Sequence, residues 1–174
     1  MPPPASPISV EAARRIFAYD AAVFGRYARS ARALPWREVV RNRGTGHLSI
    51  FQTLVHILNV HEVWMHYIVQ GRTDELEGLF RRSSRRPTNW QGFEVYSRDV
   101  WTGIDSYLAT LTAAKLSHRV KAPWMAGKYT AGDAVLQTTL EQAHHLGEII
   151  GLYWQRNRPP PDMTWIDVNR IRNR

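Results

Sequence analysis

Ser49-Ile50-Phe51-Gln52-Thr53-Leu54-Val55-His56-Ile57-Leu58-Asn59-Val60-His61 opens the amphipathic helix whose reading decides the fold. Ser49 and Gln52 have the spacing of a capping box, in which each side chain satisfies a backbone donor at the other end. Ile50, Leu54, Ile57, Leu58, Met65 and Ile68 recur at helical spacing and define the main apolar face, with His61 at its centre. His56 aligns instead with Val60, Val63 and Tyr67 on a second stripe. A helix apolar on two stripes packs against more than one neighbour. Periodicity over residues 49–70 thus favours His61 as the interior imidazole without excluding His56. A buried histidine donating to a backbone carbonyl accounts for either. His66 is a third imidazole in the same segment.

A second stretch, Leu140-Glu141-Gln142-Ala143-His144-His145-Leu146-Gly147-Glu148, lies in a segment, 131–157, that is apolar nearly all round. Glu141 and His145 are one helical turn apart and share a face. A carboxylate on a buried face is costly unless paired or coordinated. An ion pair with Arg or His meets that need, and so does a metal ion held between facing helices. Gly147 is a poor helix former by roughly 1 kcal/mol relative to Ala, which predicts either close packing by a neighbouring helix or a need for space beside the site. His144 points about 100° away from His145.

Around these two segments the chain reads as four helical stretches. The first runs from about Ser9, a plausible N-cap, to Ala33, with Ala13, Ile16, Phe17, Val23, Phe24 and Tyr27 as its stripe. Leu34-Pro35 ends it. Thr88-Asn89-Trp90-Gln91 repeats the capping-box pattern before the third stretch, and Thr130-Ala131-Gly132-Asp133 resembles it before the fourth. The segment Val120–Tyr129, with Pro123, Trp124 and Gly127, is read as a turn or a short hairpin. Pro159-Pro160-Pro161 stops the last helix, and a tail from about 158 is apolar enough, through Met163, Trp165, Ile166 and Val168, to pack back. The expected fold is all-α, an antiparallel four-helix bundle in one domain over residues 1–174, with a Pro-rich N-terminus.

Composition narrows the chemistry. The chain has no cysteine, which removes disulfides, zinc–thiolate sites and a protein thiol nucleophile. A metal must then rely on imidazole and carboxylate, donors suited to zinc, nickel or iron. The net charge is +8, almost all of it arginine, clustered at Arg81, Arg82, Arg85 and Arg86 and again at Arg170, Arg172 and Arg174. No nucleic-acid-binding motif accompanies the charge, so nucleic acid is not the expected partner. With no apolar run of membrane-spanning length and no signal-peptide pattern after Met1-Pro2-Pro3-Pro4, the sequence reads as soluble and cytoplasmic, with no membrane partner.

Residues Ser49 through Gly71, with Leu54-Val55-His56-Ile57 followed by Glu62 and Trp64, resemble the second helix of DinB-like proteins. Ala143-His144-His145-Leu146-Gly147-Glu148-Ile149 is similar to their last core helix, commonly written H-x-x-x-H-R-G-Q-[IL]. The resemblance covers most of the chain, including the opening helix around Tyr19–Arg29. It implies a four-helix bundle binding a divalent metal through one residue of helix two and two of the last helix. By position those ligands are His56, Glu141 and His145, with His61 as the alternative on helix two. Glu141 departs from the usual first histidine and Leu146 from the usual arginine. The resulting His/Glu/His set is similar to that of the mycothiol-dependent maleylpyruvate isomerase branch.

The resemblance further implies thiol-dependent S-transferase or isomerase chemistry on a small electrophile, with zinc or nickel and a low-molecular-weight thiol as cosubstrate. Arg98 is the expected arginine for an interior pocket holding an acidic thiol. Metal-assisted hydrolysis, with Glu148 or His144 as base, is the alternative, and a non-enzymatic, stress-related metal-binding or interaction protein is the third reading. Relatives often pair through bundle helices, so a homodimer is expected.

Overall fold

The computed structural model describes residues 5–44, 46–81 and 86–168. Arg82, Arg85, Arg170, Arg172, Arg174 and the opening Met1-Pro2-Pro3-Pro4 lie outside the described residues.

Ser9 starts the first helix as its sequence dictates. Its extended backbone and Oγ, which accepts from the Ala12 N–H at 3.1 Å, cap α1 (Val10–Arg32). Ala13, Phe17, Val23, Phe24, Tyr27 and Ala31 form its buried face, and Asp20 is buried among them. Pro35 then admits only a short α2 (Trp36–Val39).

Helix α3 (Ile50–Glu62) begins at Ser49, whose Oγ accepts from the Gln52 N–H. The box is half-formed, because the Ser49 N–H donates to the His47 carbonyl at 2.7 Å rather than to Gln52. The helix continues as a π-helical turn, Val63–Ile68. Such a turn adds a residue per turn and shifts the faces that follow it. The main stripe is buried, with Leu54, Ile57, Leu58, Met65 and Ile68 at 0–1% exposure; on the second, Val63 and Tyr67 are buried and His56 and Val60 half-buried.

A 3-10 turn (Thr73–Glu75) leads into α4 (Leu76–Arg81). Helix α5 (Trp90–Ala109) is capped by Asn89, whose Oδ1 accepts from the Gly92 N–H at 2.9 Å. The cap expected at Thr88 is thus displaced by one residue, since Asn89 holds the extended backbone a cap requires. Phe93, Val100, Ile104, Tyr107 and Leu108 are its buried stripe.

After α6 (Ala113–Ser117), β1 (Arg119–Val120) pairs antiparallel with β2 (Tyr129–Thr130), so of the turn and the short hairpin expected there the hairpin forms. Thr130 and Asp133 complete a full capping box at the start of α7 (Ala131–Trp154), and α8 (Trp165–Val168) ends the described chain. The tail packs back on α1: the Tyr19 hydroxyl donates to the Met163 carbonyl, and Trp165 lies 5.1 Å from the Tyr19 ring.

The fold is all-α apart from that hairpin. Helix α3 packs against α1, α5 and α7, and α7 also packs on α1. Fully burying one Leu or Ile of this core is worth roughly 1.5–3 kcal/mol, and the opposing cost of chain entropy is what makes so many of them necessary. No helix among the described residues is long and apolar enough to cross a membrane. Close packing, one of the two expectations at Gly147, is absent. A Cβ there would meet nothing within 4 Å, because Gly147 faces outward from α7.

Candidate metal centre

Three imidazoles converge where the loop before α3 crosses α3 and α7. His56 comes from the second stripe of α3, aimed by the burial of Leu54, Ile57 and Leu58 on the first. His145 is buried on α7, between Gln142 and Ile149. His47 belongs to the loop. Leu48 adopts a positive φ of 66°, unusual without glycine, and the Ser49 N–H closes a three-residue turn onto the His47 carbonyl. That turn folds His47 back onto α3.

The ring centroids of His47 and His56 lie 3.6 Å apart in a stacked arrangement, and His145 stands edge-on to both, at 4.8 and 4.5 Å. One candidate ligand atom from each of the three falls within 4.8 Å of the others. Tetrahedral zinc with bonds of about 2.0–2.1 Å needs nitrogens about 3.4 Å apart, closer than the 4.8 Å that bounds these atoms. The donor set suits zinc, nickel or iron and contains no thiolate.

Two carboxylates flank His145. Its Nδ1 lies 3.1 Å from Glu148 Oε2 and its Nε2 lies 3.4 Å from Glu141 Oε2. An Nδ1–H donated to Glu148 fixes the tautomer and leaves the Nε2 lone pair for a cation. Gln137 donates to the other Glu141 oxygen at 2.8 Å, holding that carboxylate on His145. Gly46 packs so close to Glu148 that a Cβ would lie 3.2 Å from its Oε1.

Burial, reinforced by the neighbouring imidazoles and by Arg86, pushes His56 down to about 3. His47 is also lowered, chiefly by burial and then by His145. Both rings therefore carry no proton charge near neutrality, and their lone pairs are free to meet a cation.

Of the residues singled out in the sequence, His56 and His145 come together, and Glu141 touches His145 without joining the three-imidazole group. His61, the alternative on helix two, turns away from this centre. Fully buried, it approaches the Ile57 carbonyl through Nδ1 at 2.9 Å and Asp20 Oδ2 through Nε2 at 3.9 Å. His66 is committed to the Val100 carbonyl on α5. His144 is exposed, 4.0 Å from Glu148. Arg98 does not reach an interior pocket: it is exposed beside Asp99, whereas Arg86 lines the cavity next to His47 and His56. The sequence reading missed His47, because periodicity cannot orient a loop residue. Its only signal was a histidine between Gly46 and a capped helix start.

Asp20 was also missed. It is fully buried, accepts from the Thr139 hydroxyl at 2.7 Å and from Gln142 Nε2 at 3.2 Å, and burial pushes it up to about 7. His61 Nε2 and Gln142 Oε1 have no hydrogen-bond partner among the described residues.

The profile of the DinB superfamily matches residues 21–149, a span that takes in α3, α5 and every histidine of this centre. No curated protein matches the chain.

Proposed function

The chain belongs to the DinB superfamily, and from that premise we propose that it is a divalent-metal-dependent enzyme joining a low-molecular-weight thiol to a small electrophile, by S-transfer or isomerisation. The observation that carries this reading is the convergence of His47, His56 and His145, with the Glu141 carboxylate on the nitrogen of His145 that Glu148 leaves free. His56, Glu141 and His145 hold the ion on a four-helix bundle, and His47 is an added donor. Zinc or nickel fits these ligands. The chemistry such an ion supplies when bound is a lowered pKa for a coordinated thiol or water.

The residues around it have separate tasks. Glu148 orients His145, and its engagement there argues against service as a free base for hydrolysis. Gln137 keeps Glu141 in position. Arg86 gives a cavity of about 410 Å³ beside His47 and His56 a cationic wall, which suits an acidic thiol. The absence of cysteine means the thiol arrives with the cosubstrate. A homodimer fits the exposure of Leu140 and Trp154 on α7, 64% and 58%, since large apolar side chains on one helix face seek cover.

Elemental mass spectrometry on protein purified without an affinity tag is the test, with His56→Ala and His145→Ala beside the wild type. Near-stoichiometric metal, lost in both folded variants, together with thiol-dependent consumption of an electrophile, supports the reading. Thiol-independent hydrolysis would replace it, and a wild type that stays empty after dialysis against zinc and nickel would end it.

A further inference from the structure

On the flank of His56 away from the loop lies a second cavity, of about 430 Å³, with a different character. Its inner end is polar, formed by His56, Asn59, Gln137 and Glu141. Its walls are Val60, Val63, Trp64, Phe80, Trp124 and Met125. Three separate elements supply the aromatic walls. Trp64 comes from the π-helical turn, Phe80 from α4, and Trp124 from the loop of the hairpin.

The two outer rings are anomalous. Trp124 is 52% exposed and Phe80 51%, while Trp64 between them and the core is buried. They stand edge to face across the mouth of the cavity, centroids 6.4 Å apart, and Trp124 meets the buried Trp64 at 6.0 Å. Aromatic pairs favour such offset geometry, and each exposed face retains the capacity to stack on a further ring. A cavity of this size with apolar walls and a few convergent polar groups at one end has the form of a small-molecule site.

We propose that this cavity binds a flat aromatic or conjugated small molecule against Trp124 and Phe80, the electrophilic substrate of the enzyme. That assignment of role rests on the thiol-transfer reading. Both cavities include His56 and Asn59, so the electrophile enters from the aromatic side and the polar thiol from the Arg86 side. Gln137 and Glu141 limit how deep an apolar ring goes, because desolvating a carboxylate against hydrocarbon is costly.

The test is isothermal titration calorimetry with 1-naphthol, a flat ring that needs no thiol and undergoes no turnover. Trp124→Ala and Phe80→Ala are expected to raise Kd about tenfold, and Trp124→Phe to restore most of the binding. Ile166→Ala, 73% exposed on α8 and outside the cavity lining, leaves Kd unchanged. Melting curves and metal content identical to wild type certify that each variant is intact. Absence of binding to the wild type, or equal affinity in Trp124→Ala, overturns the proposal. So does sedimentation showing that Trp124→Ala separates a dimer, which would assign the rings to a second copy. A failed thiol assay sinks the preceding reading while leaving this binding result standing, and the reverse holds equally.

Discussion

His47, from a loop, stacks face to face on His56, from a helix, with 3.6 Å between ring centroids. Two protonated imidazoles would repel one another at that distance; burial lowers both, reinforced at His47 by His145 and at His56 by His47 and His145. Holding His47 there requires a positive φ at Leu48, a conformation that costs on the order of 1–3 kcal/mol. Stored strain beside a group of potential ligands is the kind of local expense that function repays.

If His47 is a metal donor, His47→Ala loses metal as His56→Ala does. If it only positions its neighbours, the affinity falls by about 10–100-fold, the range for residues that orient ligands. We expect the larger effect, because one of its donor atoms is within 4.8 Å of those of both partners. Glu148→Gln is expected to fall in the smaller range. Competition with a colorimetric chelator, read for both variants, decides each.

Gly103 on α5 admits His66 against the helix backbone. A Cβ at that position would lie 2.4 Å from the imidazole, and the ring is anchored to the Val100 carbonyl. Gly103→Ala must therefore displace His66 and break that bond. A loss of roughly 1–3 kcal/mol is expected, measured by urea denaturation. That figure is the net effect: the gain from the better helix propensity of Ala, about 1 kcal/mol, is set against displacement of a half-buried ring and loss of its hydrogen bond, which together exceed it.

Gly147 presents the opposite case. With nothing within 4 Å of its Cβ position, Gly147→Ala is expected to stabilise the chain by about 0.5–1 kcal/mol through helix propensity alone. Urea titration at protein concentrations low enough to keep the chain monomeric is the check. A loss of stability would mean that something covers this face of α7.

Asp20 and His61 make a pH prediction. Asp20 rises from 3.8 to about 7 on folding, so the folded state holds its proton more tightly and stability falls as pH climbs between those values. His61 drops from 6.5 to about 4, so its contribution rises with pH between about 4 and 6.5. The two slopes oppose each other across that window and leave the pair nearly flat. Asp20→Asn removes one of them. Gln142, whose Oε1 has no partner among the described residues, can rotate to accept from the new amide. Stability of the variant is then expected to rise, relative to wild type, by on the order of 1 kcal/mol per pH unit from about pH 4 to 6.5. Urea midpoints at a series of pH values would contradict this if the two proteins ran parallel.

The sequence by itself determined the all-α character, the caps at Ser9, Ser49 and Thr130, and the burial of the main α3 stripe, because these depend on interactions within a few residues; for Val120–Tyr129 it left a turn and a hairpin both open. It also placed Glu141 beside His145, since four residues make one helical turn. Tertiary structure alone decided which imidazoles meet. The π-helical turn alters the faces that follow it, and His61 at the centre of the main stripe joins Asp20 in the core rather than the other histidines. His47 reaches His56 through a backbone turn at Leu48 that no periodicity encodes. Arg86, in a connection, lines the cavity, while Arg98, on a helix, faces solvent. A side chain's direction along a helix is set by its own neighbours in sequence. What it points at is set by elements folded onto it from far along the chain, and those contacts exist only once the hydrophobic core has fixed the helices against one another.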